Sequence, residues 1–402
     1  MTVSEVGLDP YNYDFHEDPY PYYKRLRDEA PLYRNEDLGF WALSRHKDVL
    51  AGFRNSVTLS NKFGVSLDPA SRGPHAAKTM SFLAMDDPDH LRLRTLVSKG
   101  FTPRRIRELE PRVTEIALKH LDTILELAAS GATVDYVDEF AGKLPMDVIS
   151  ELMGVPEADR VQVRAWADGV MHRDEGVTDV PKEAIEASIN LIVYYQEMVA
   201  ERRRKPSDDL TTALLEAEID GDRLTDDEVL GFMFLMVIAG NETTTKLLAN
   251  AAFWGHRNPD QLAPLYEDSS RIPLWVEETL RYDTSSQILA RTVQGELTLY
   301  DTQIPDGDVL LLLPGSAHRD ERAFENPDDF IIGRDIGAKL QSFGSGAHFC
   351  LGTHLARMEA RVALDELFKR IRGYEVDEAN SARVHSSNVR GFAHLPMTLT
   401  PR

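Results

Sequence analysis

The run Ser342-Phe343-Gly344-Ser345-Gly346-Ala347-His348-Phe349-Cys350-Leu351-Gly352 decides how this chain is read. It holds the one cysteine among 402 residues. A helical pattern follows at once through His354, Leu355, Ala356, Arg357, Met358, Glu359, Ala360 and Arg361. A thiolate at the start of a helix is favoured by the positive end of the dipole and by backbone amides without partners. Gly346, four residues before the cysteine, allows a tight turn and lets amides approach the sulfur. A lone cysteine is most often a small buried hydrophobe. One framed by glycines and aimed at a helix start is better suited to act as a soft metal ligand.

The spacing Phe343-x-x-Gly346-x-x-x-Cys350-x-Gly352 resembles the haem-thiolate signature of the cytochrome P-450 monooxygenases. The resemblance implies haem b (iron protoporphyrin IX) with the Cys350 thiolate as axial ligand and metal-binding group. It also implies that Phe343, Gly344 and Gly352 shape the cradle and that His348 binds a propionate. Further upstream, His90 and Arg94 are four apart on one predicted helix face, where two donor groups can hold an anion. With the cysteine run they resemble the family's propionate-binding His-x-x-x-Arg pair. Arg291, on a predicted strand, matches the family's third propionate partner.

Thr225 and Glu228 predict a capped helix start. From Gly231 the chain is apolar on almost every side, which predicts a buried central helix. Its middle reads Ala239-Gly240-Asn241-Glu242-Thr243-Thr244-Thr245, and polar groups there are costly in a core. A local rule broken inside a core marks a functional site. A threonine hydroxyl at 243 can bond the carbonyl of Ala239 and loosen the helix ladder. The segment resembles the family's acid-alcohol pair, so Thr243 and Glu242 are expected as the catalytic proton relay and Ala239 as a haem neighbour.

Glu278 and Arg281 are three apart on a predicted helix and can pair. In the family such a Glu-x-x-Arg pair is a buried structural lock, completed by an arginine before phenylalanine. Here that position reads Asp329-Phe330, which leaves Arg334 as the candidate third partner. The 55–79 stretch carries several breakers and is expected as a long functional loop. Phe63, Val65, Phe82 and Leu83 near it, Phe232 and Leu235 on the central helix, and Ile288, Leu289 and Phe392 later are expected to line a substrate pocket. Further helices are predicted over 20–30, 45–54, 110–130, 146–153, 158–171 and 182–204, with strands over 285–293, 297–299 and 309–313. The 174–181 segment is expected as a flexible lid.

The fold class that follows is mainly α, a single helical domain over 1–402 with a minor β region around a buried haem. Forty-two per cent of the chain is apolar, enough for a large core. One cysteine excludes an internal disulfide framework and suits a reducing cytoplasm. Residues 1–23 lack the basic and apolar regions of a signal peptide. No run of eighteen apolar residues predicts a membrane span or stable anchor. A net charge of −21 argues against nucleic acid. The resemblance implies a monomeric cytoplasmic enzyme that uses O2 on a small apolar substrate, with electrons from a ferredoxin and its reductase. Arg92, Lys99, Arg104, Arg105 and Arg107 form a local basic cluster that would attract an acidic ferredoxin. Two other readings are a haem-thiolate sensor without turnover and a cysteine-nucleophile hydrolase without haem.

Overall fold

The Thr225–Glu228 capping box forms as its spacing predicts. Thr225 N–H donates to Glu228 Oε2 at 2.8 Å, and Glu228 N–H donates to Thr225 Oγ1 at 3.2 Å. Behind it runs a central helix of 32 residues, Asp226–Arg257. The computed structural model describes residues 6–68, 71–171 and 181–402. The segment expected as a lid lies outside them as far as Val180. The chain forms two units. One comprises Met1–Leu59, Arg112–Leu144 and Thr243–Arg402, and the other comprises Ser60–Pro111 and Pro145–Glu242.

The first unit carries a five-stranded sheet in the order Leu32–Asn35, Phe40–Leu43, Val309–Leu312, Leu289–Val293, Leu59–Ser60. Phe40–Leu43 runs parallel to Val309–Leu312 and antiparallel to Leu32–Asn35, with which it forms a hairpin. Leu43, Val49, Phe53, Val293, Leu310 and Leu312 pack as one buried apolar cluster beside this sheet. The helix His46–Arg54 can approach closely because Gly52 has no side chain. A Cβ there would lie 2.5 Å from Leu312 Cδ2. A three-stranded antiparallel sheet joins Ile371–Val376, Pro396–Pro401 and Val134–Asp135.

The second unit is helical. Arg160–Met171 packs on Lys182–Arg204, and Leu210–Glu216 packs on the latter. Here the apolar stretch Val229–Val237 of the central helix is mostly buried, as its composition predicts.

Three expectations are adjusted. The helix expected from 110 begins at Pro103 and runs to Ala129 with Pro111 inside it. Thr102 caps it through Arg105 N–H at 3.3 Å, and proline is well suited to a first turn. The 55–79 stretch holds the strand Leu59–Ser60 and part of a helix, Ala76–Met80. The strand expected from Ser285 begins at Leu289. Before it, Gln287 and Ile288 amides are directed to the Asn388 carbonyl, with a single bridge from Ser286 to Val389.

Glu278 and Arg281 form the lock, and both side chains are fully buried. Their two bonds are 2.8 and 2.7 Å, a bidentate pair. Arg334 is the third partner, with Nε 3.4 Å from Glu278 Oε1. Glu278 Oε1 also accepts the Ile331 N–H at 2.8 Å. Arg281 spends its other donors on the carbonyls of His318, Pro327 and Asp329, at 2.8–3.0 Å. Burial pulls the Arg281 guanidinium below its usual pKa, and Glu278 opposes that pull.

Removing the anion from this pair leaves a buried cation with no counter-charge. Glu278→Gln is therefore expected to destabilise the protein by about 3–5 kcal/mol. Arg334→Gln leaves the bidentate pair intact and is expected to cost about 1 kcal/mol. Chemical unfolding of both variants checks the order; equal losses would contradict it.

Candidate haem-thiolate site

The cysteine run is held by its own backbone. Gly344 N–H donates to the Gln341 carbonyl at 2.9 Å, and Cys350 N–H donates to the Phe343 carbonyl at 2.9 Å. Gly344 and Gly346 adopt φ of +68° and +75°, left-handed conformations that glycine adopts without strain. Past Gly352 the 18-residue helix Thr353–Arg370 begins, so the thiol sits just before a helix N-terminus, as the sequence predicts. Cys350 is exposed, and neighbouring Phe349 is 42% exposed.

The loop is anchored to the lock. His318, whose carbonyl receives Arg281, accepts the Gln341 N–H on Nε2 at 2.8 Å. Full burial, followed by nearby cations, holds the His318 pKa well below the ordinary histidine range, so the ring is neutral and accepts this bond. Ser342 Oγ donates to the Leu280 carbonyl at 2.7 Å. Arg357 stacks over the Phe343 ring at 4.5 Å and pairs with Glu277 at 2.5 Å.

Phe53 is a residue that sequence reasoning missed. A Cβ on Gly344 would lie 3.7 Å from its ring, and one on Gly346 would lie 2.9 Å from its carbonyl. Arg291 is 3% exposed, and its guanidinium lies over the same ring at 5.6 Å. Phe53 thus joins the cysteine run to the strand arginine, although nothing local in its sequence marks it. Arg54 Nε adds a bond to Ser345 Oγ at 3.1 Å. His348 lies half-buried in the run itself.

In the second unit, His90 and Arg94 do share a helix face on Asp89–Ser98. Both face Phe82. The His90 ring centroid is 6.0 Å from it and Arg94 Cζ is 5.6 Å from it. His90 Nδ1 lies 3.2 Å from Asp87 Oδ1. Burial lowers the His90 pKa, with Asp87 opposing, so the ring is a neutral hydrogen-bonding group at pH 7. Phe82 stacks on Phe232 at 6.0 Å, and Phe101 meets Phe232 edge-on at 5.9 Å. Asp86 holds the preceding loop through Ser60 Oγ at 2.5 Å and Asn61 N–H at 2.8 Å, and Asn61 reaches the Leu83 carbonyl. Val65, Phe82, Phe232 and Leu235 are buried, Leu83 is half-buried and Phe63 is 38% exposed.

On the central helix, Ala239 is exposed while Val237, Asn241 and Thr244 are buried. Glu242 and Thr243 are intermediate. The Thr243 carbonyl accepts the Ser285 hydroxyl at 2.8 Å, a second anchor that sequence reasoning missed. In the first unit Ile288 and Phe392 are buried and Leu289 is half-buried; Phe392 packs on Phe253 at 4.8 Å.

The basic cluster is corrected. Arg92 is claimed by Asp222 at 2.6 Å and Glu228 at 2.5 Å, Arg104 by Glu108 at 2.7 Å, and Arg105 by Asp208 at 3.8 Å. Lys99 Nζ donates to the Glu218 carbonyl. Carboxylates thus pair with three of the five cations, while Arg107 is exposed, so the cluster is less positive than its sequence suggests.

The donor set fits a thiolate-ligated haem. It offers one accessible sulfur at a helix start, glycine turns beside it, and guanidinium and imidazole groups suited to carboxylates. The comparisons agree. The family model described as Cytochrome P450, written here cytochrome P-450, matches residues 177–378. A Mycobacterium tuberculosis protein named cytochrome P-450 123 is 69% identical over 406 residues, covering 100% of each chain.

This chain belongs to the cytochrome P-450 family.

The cytochrome P-450 monooxygenase PikC of Streptomyces venezuelae is 37% identical, covering 96% of this chain and 92% of its own. The crystal structure of CYP109E1 from Bacillus megaterium in complex with corticosterone matches with a TM-score of 0.85 at 30% identity, covering 96% and 99% of the two chains. The protein is thus a cytochrome P-450 monooxygenase with the mainly α fold of its family, and its cofactor is haem with the Cys350 thiolate as ligand. Membership in this family removes the cysteine-hydrolase reading. No helix among the described residues is long and apolar enough to cross a membrane.

The two positive-φ glycines differ in what surrounds them. Gly346→Ala brings a Cβ against the Phe53 carbonyl in a strained conformation, a cost of about 1–3 kcal/mol. Gly344→Ala has the strain without that collision. Haem content after purification is expected to fall further in Gly346→Ala; the reverse order would contradict the close approach to Phe53.

Proposed function

We propose that this cytochrome P-450 inserts one oxygen atom from O2 into a small apolar substrate, with electrons from a separate ferredoxin and its reductase. One observation carries the reading: a mostly buried helix turns accessible at Ala239, next to Glu242 and Thr243. A sensor without turnover needs no acid and alcohol at that point, and PikC is named a monooxygenase. When bound, the haem supplies the redox chemistry, and its thiolate ligand favours cleavage of the O–O bond.

The chain's own residues have separable tasks. The Cys350 thiolate holds the haem, with Phe343, Gly344 and Gly352 shaping its loop. His90, Arg94, Arg291 and His348 would hold the two propionates, with Ala239 beside the ring. The Thr243 hydroxyl would donate a proton at the reacting oxygen, and the Glu242 carboxyl group, taking a proton from solvent, would resupply it. Ser285 fixes the backbone of Thr243 through its carbonyl, which limits where the hydroxyl can point. Phe63, Val65, Phe82, Leu83, Phe232, Leu235, Ile288, Leu289 and Phe392 orient an apolar substrate and exclude water. The relative crystallised with corticosterone supports a substrate of that character.

The enzyme works as one cytoplasmic domain and as a monomer in this reading. Three helices, Pro103–Ala129, Lys143–Met153 and Asp226–Arg257, supply residues to both units, which supports a single domain. Carboxylates beside Arg92, Arg104 and Arg105 weaken the pull of these three arginines on an acidic ferredoxin.

Thr243→Ala removes the proton donor and leaves the haem ligand untouched. Product formation is expected to fall by roughly 10²–10⁴, the usual weight of general acid catalysis. Electron consumption should continue, with hydrogen peroxide accumulating in place of product. Tight coupling of electrons to product in the variant would remove Thr243 from this role.

A further inference from the structure

Apart from the haem-thiolate loop, the first unit carries a cavity of about 690 Å³, within the range of small-molecule sites. None of its lining residues falls in the Phe343–Gly352 run, and Phe392 is the one residue it shares with the proposed substrate wall. Its walls combine Tyr20 and Trp254 with Arg257, Arg319, Arg383 and Arg390. Arg383 and Arg390 share one buried carboxylate, Asp283, whose side chain is 0% exposed.

That carboxylate is already well used. Asp283 Oδ1 accepts Tyr20 Oη and Arg390 Nε, each at 2.8 Å, and Oδ2 accepts Trp254 Nε1 at 2.9 Å. Arg383 approaches Oδ2 only to 3.6 Å. Its buried Nη1 has no hydrogen-bond partner among the described residues, and its side chain is 9% exposed. Two guanidinium groups therefore face one buried anion, and Arg383 has the poorer share. Burial, reinforced by Arg390, pulls the Arg383 pKa down to about 10.

The other arginines have their own carboxylates. Arg257 pairs with Glu378 at 2.9 Å and Arg319 with Asp328 at 3.1 Å. Glu17 and Asp18 also line the cavity and are exposed, so they repel a multiply charged anion. One incompletely paired guanidinium, flat aromatic walls and flanking acids select a single negative charge on an apolar ring.

We propose that this cavity binds a small aromatic monocarboxylate, with the carboxylate recognised by Arg383 and the ring packed against Tyr20 and Trp254. A guanidinium donates two parallel hydrogen bonds to such a carboxylate, and the ring replaces water on the aromatic walls. Nothing in the monooxygenase chemistry requires this site.

The test uses the haem-loaded enzyme, with 2-naphthoate as probe and uncharged 2-naphthamide as control. Calorimetry is expected to show one naphthoate site whose occupation quenches Trp254 fluorescence and leaves the haem absorption unchanged. Naphthamide is expected to bind at least about tenfold more weakly, the weight of one charge-assisted contact. Arg383→Gln should reduce naphthoate affinity by a similar factor. Ser381→Trp, which narrows the cavity from a wall residue outside the Arg383–Asp283 pair, should abolish binding even if Arg383→Gln folds poorly. The proposal is overturned by any of four results: no binding, equal affinity for the two probes, unchanged affinity in Ser381→Trp, or a haem absorption shift that tracks occupation and so assigns the probe to the substrate side.

Discussion

The Glu278–Arg281 pair is the constraint on which the rest of this cytochrome P-450 depends. Both side chains are fully buried, and neither charge is tolerable there without the other. Satisfying them recruits backbone from three places, the carbonyls of His318, Pro327 and Asp329, together with the Ile331 amide and Arg334. His318 then passes the constraint on, because its neutral ring accepts the Gln341 amide at the entry to the cysteine run. From Gln341 the run closes through Gly344 and Cys350 onto itself. The position of the sulfur is thus determined by a buried ion pair more than sixty residues earlier in the chain.

Chemistry and rigidity are divided between elements. The cysteine run is fixed on one side by the lock and on the other by Phe53, which also carries Arg291 over its ring. The central helix is regular and buried before and after its polar segment, and is tethered at Thr243 by Ser285. A proton-delivering hydroxyl needs such a tether, since misplacement by an ångström costs rate without changing binding. The incompletely paired guanidinium of Arg383 belongs to a different region, where the buried Asp283 carboxylate is shared with Arg390.

What was legible in the sequence was local or carried by short spacing. Cys350 before a helix, the Thr225–Glu228 capping box, the His90–Arg94 face and the Glu278–Arg281 pair each depend on residues a few positions apart. Arg334 was legible as a candidate because Asp329-Phe330 left the lock short of a cation. Phe53 and Ser285 were not legible, because their roles exist only through partners hundreds or tens of residues away. Arg92 and Arg105 were misread for the same reason. Asp222 and Glu228 pair with the first and Asp208 with the second, and each lies more than a hundred residues further along. Helix and strand starts moved where backbone amides found nonlocal acceptors, as Gln287 and Ile288 do at Asn388.

The claim that organises the whole account is that the Cys350 sulfur is the haem ligand. The difference spectrum of the reduced, carbon-monoxide-bound protein, recorded for the natural chain and for Cys350→Ser, tests it most directly. The account predicts the thiolate-type band in the natural chain and its loss in the variant, since an alcohol is a poor substitute for a thiolate. The same thiolate-type band in both proteins would contradict it.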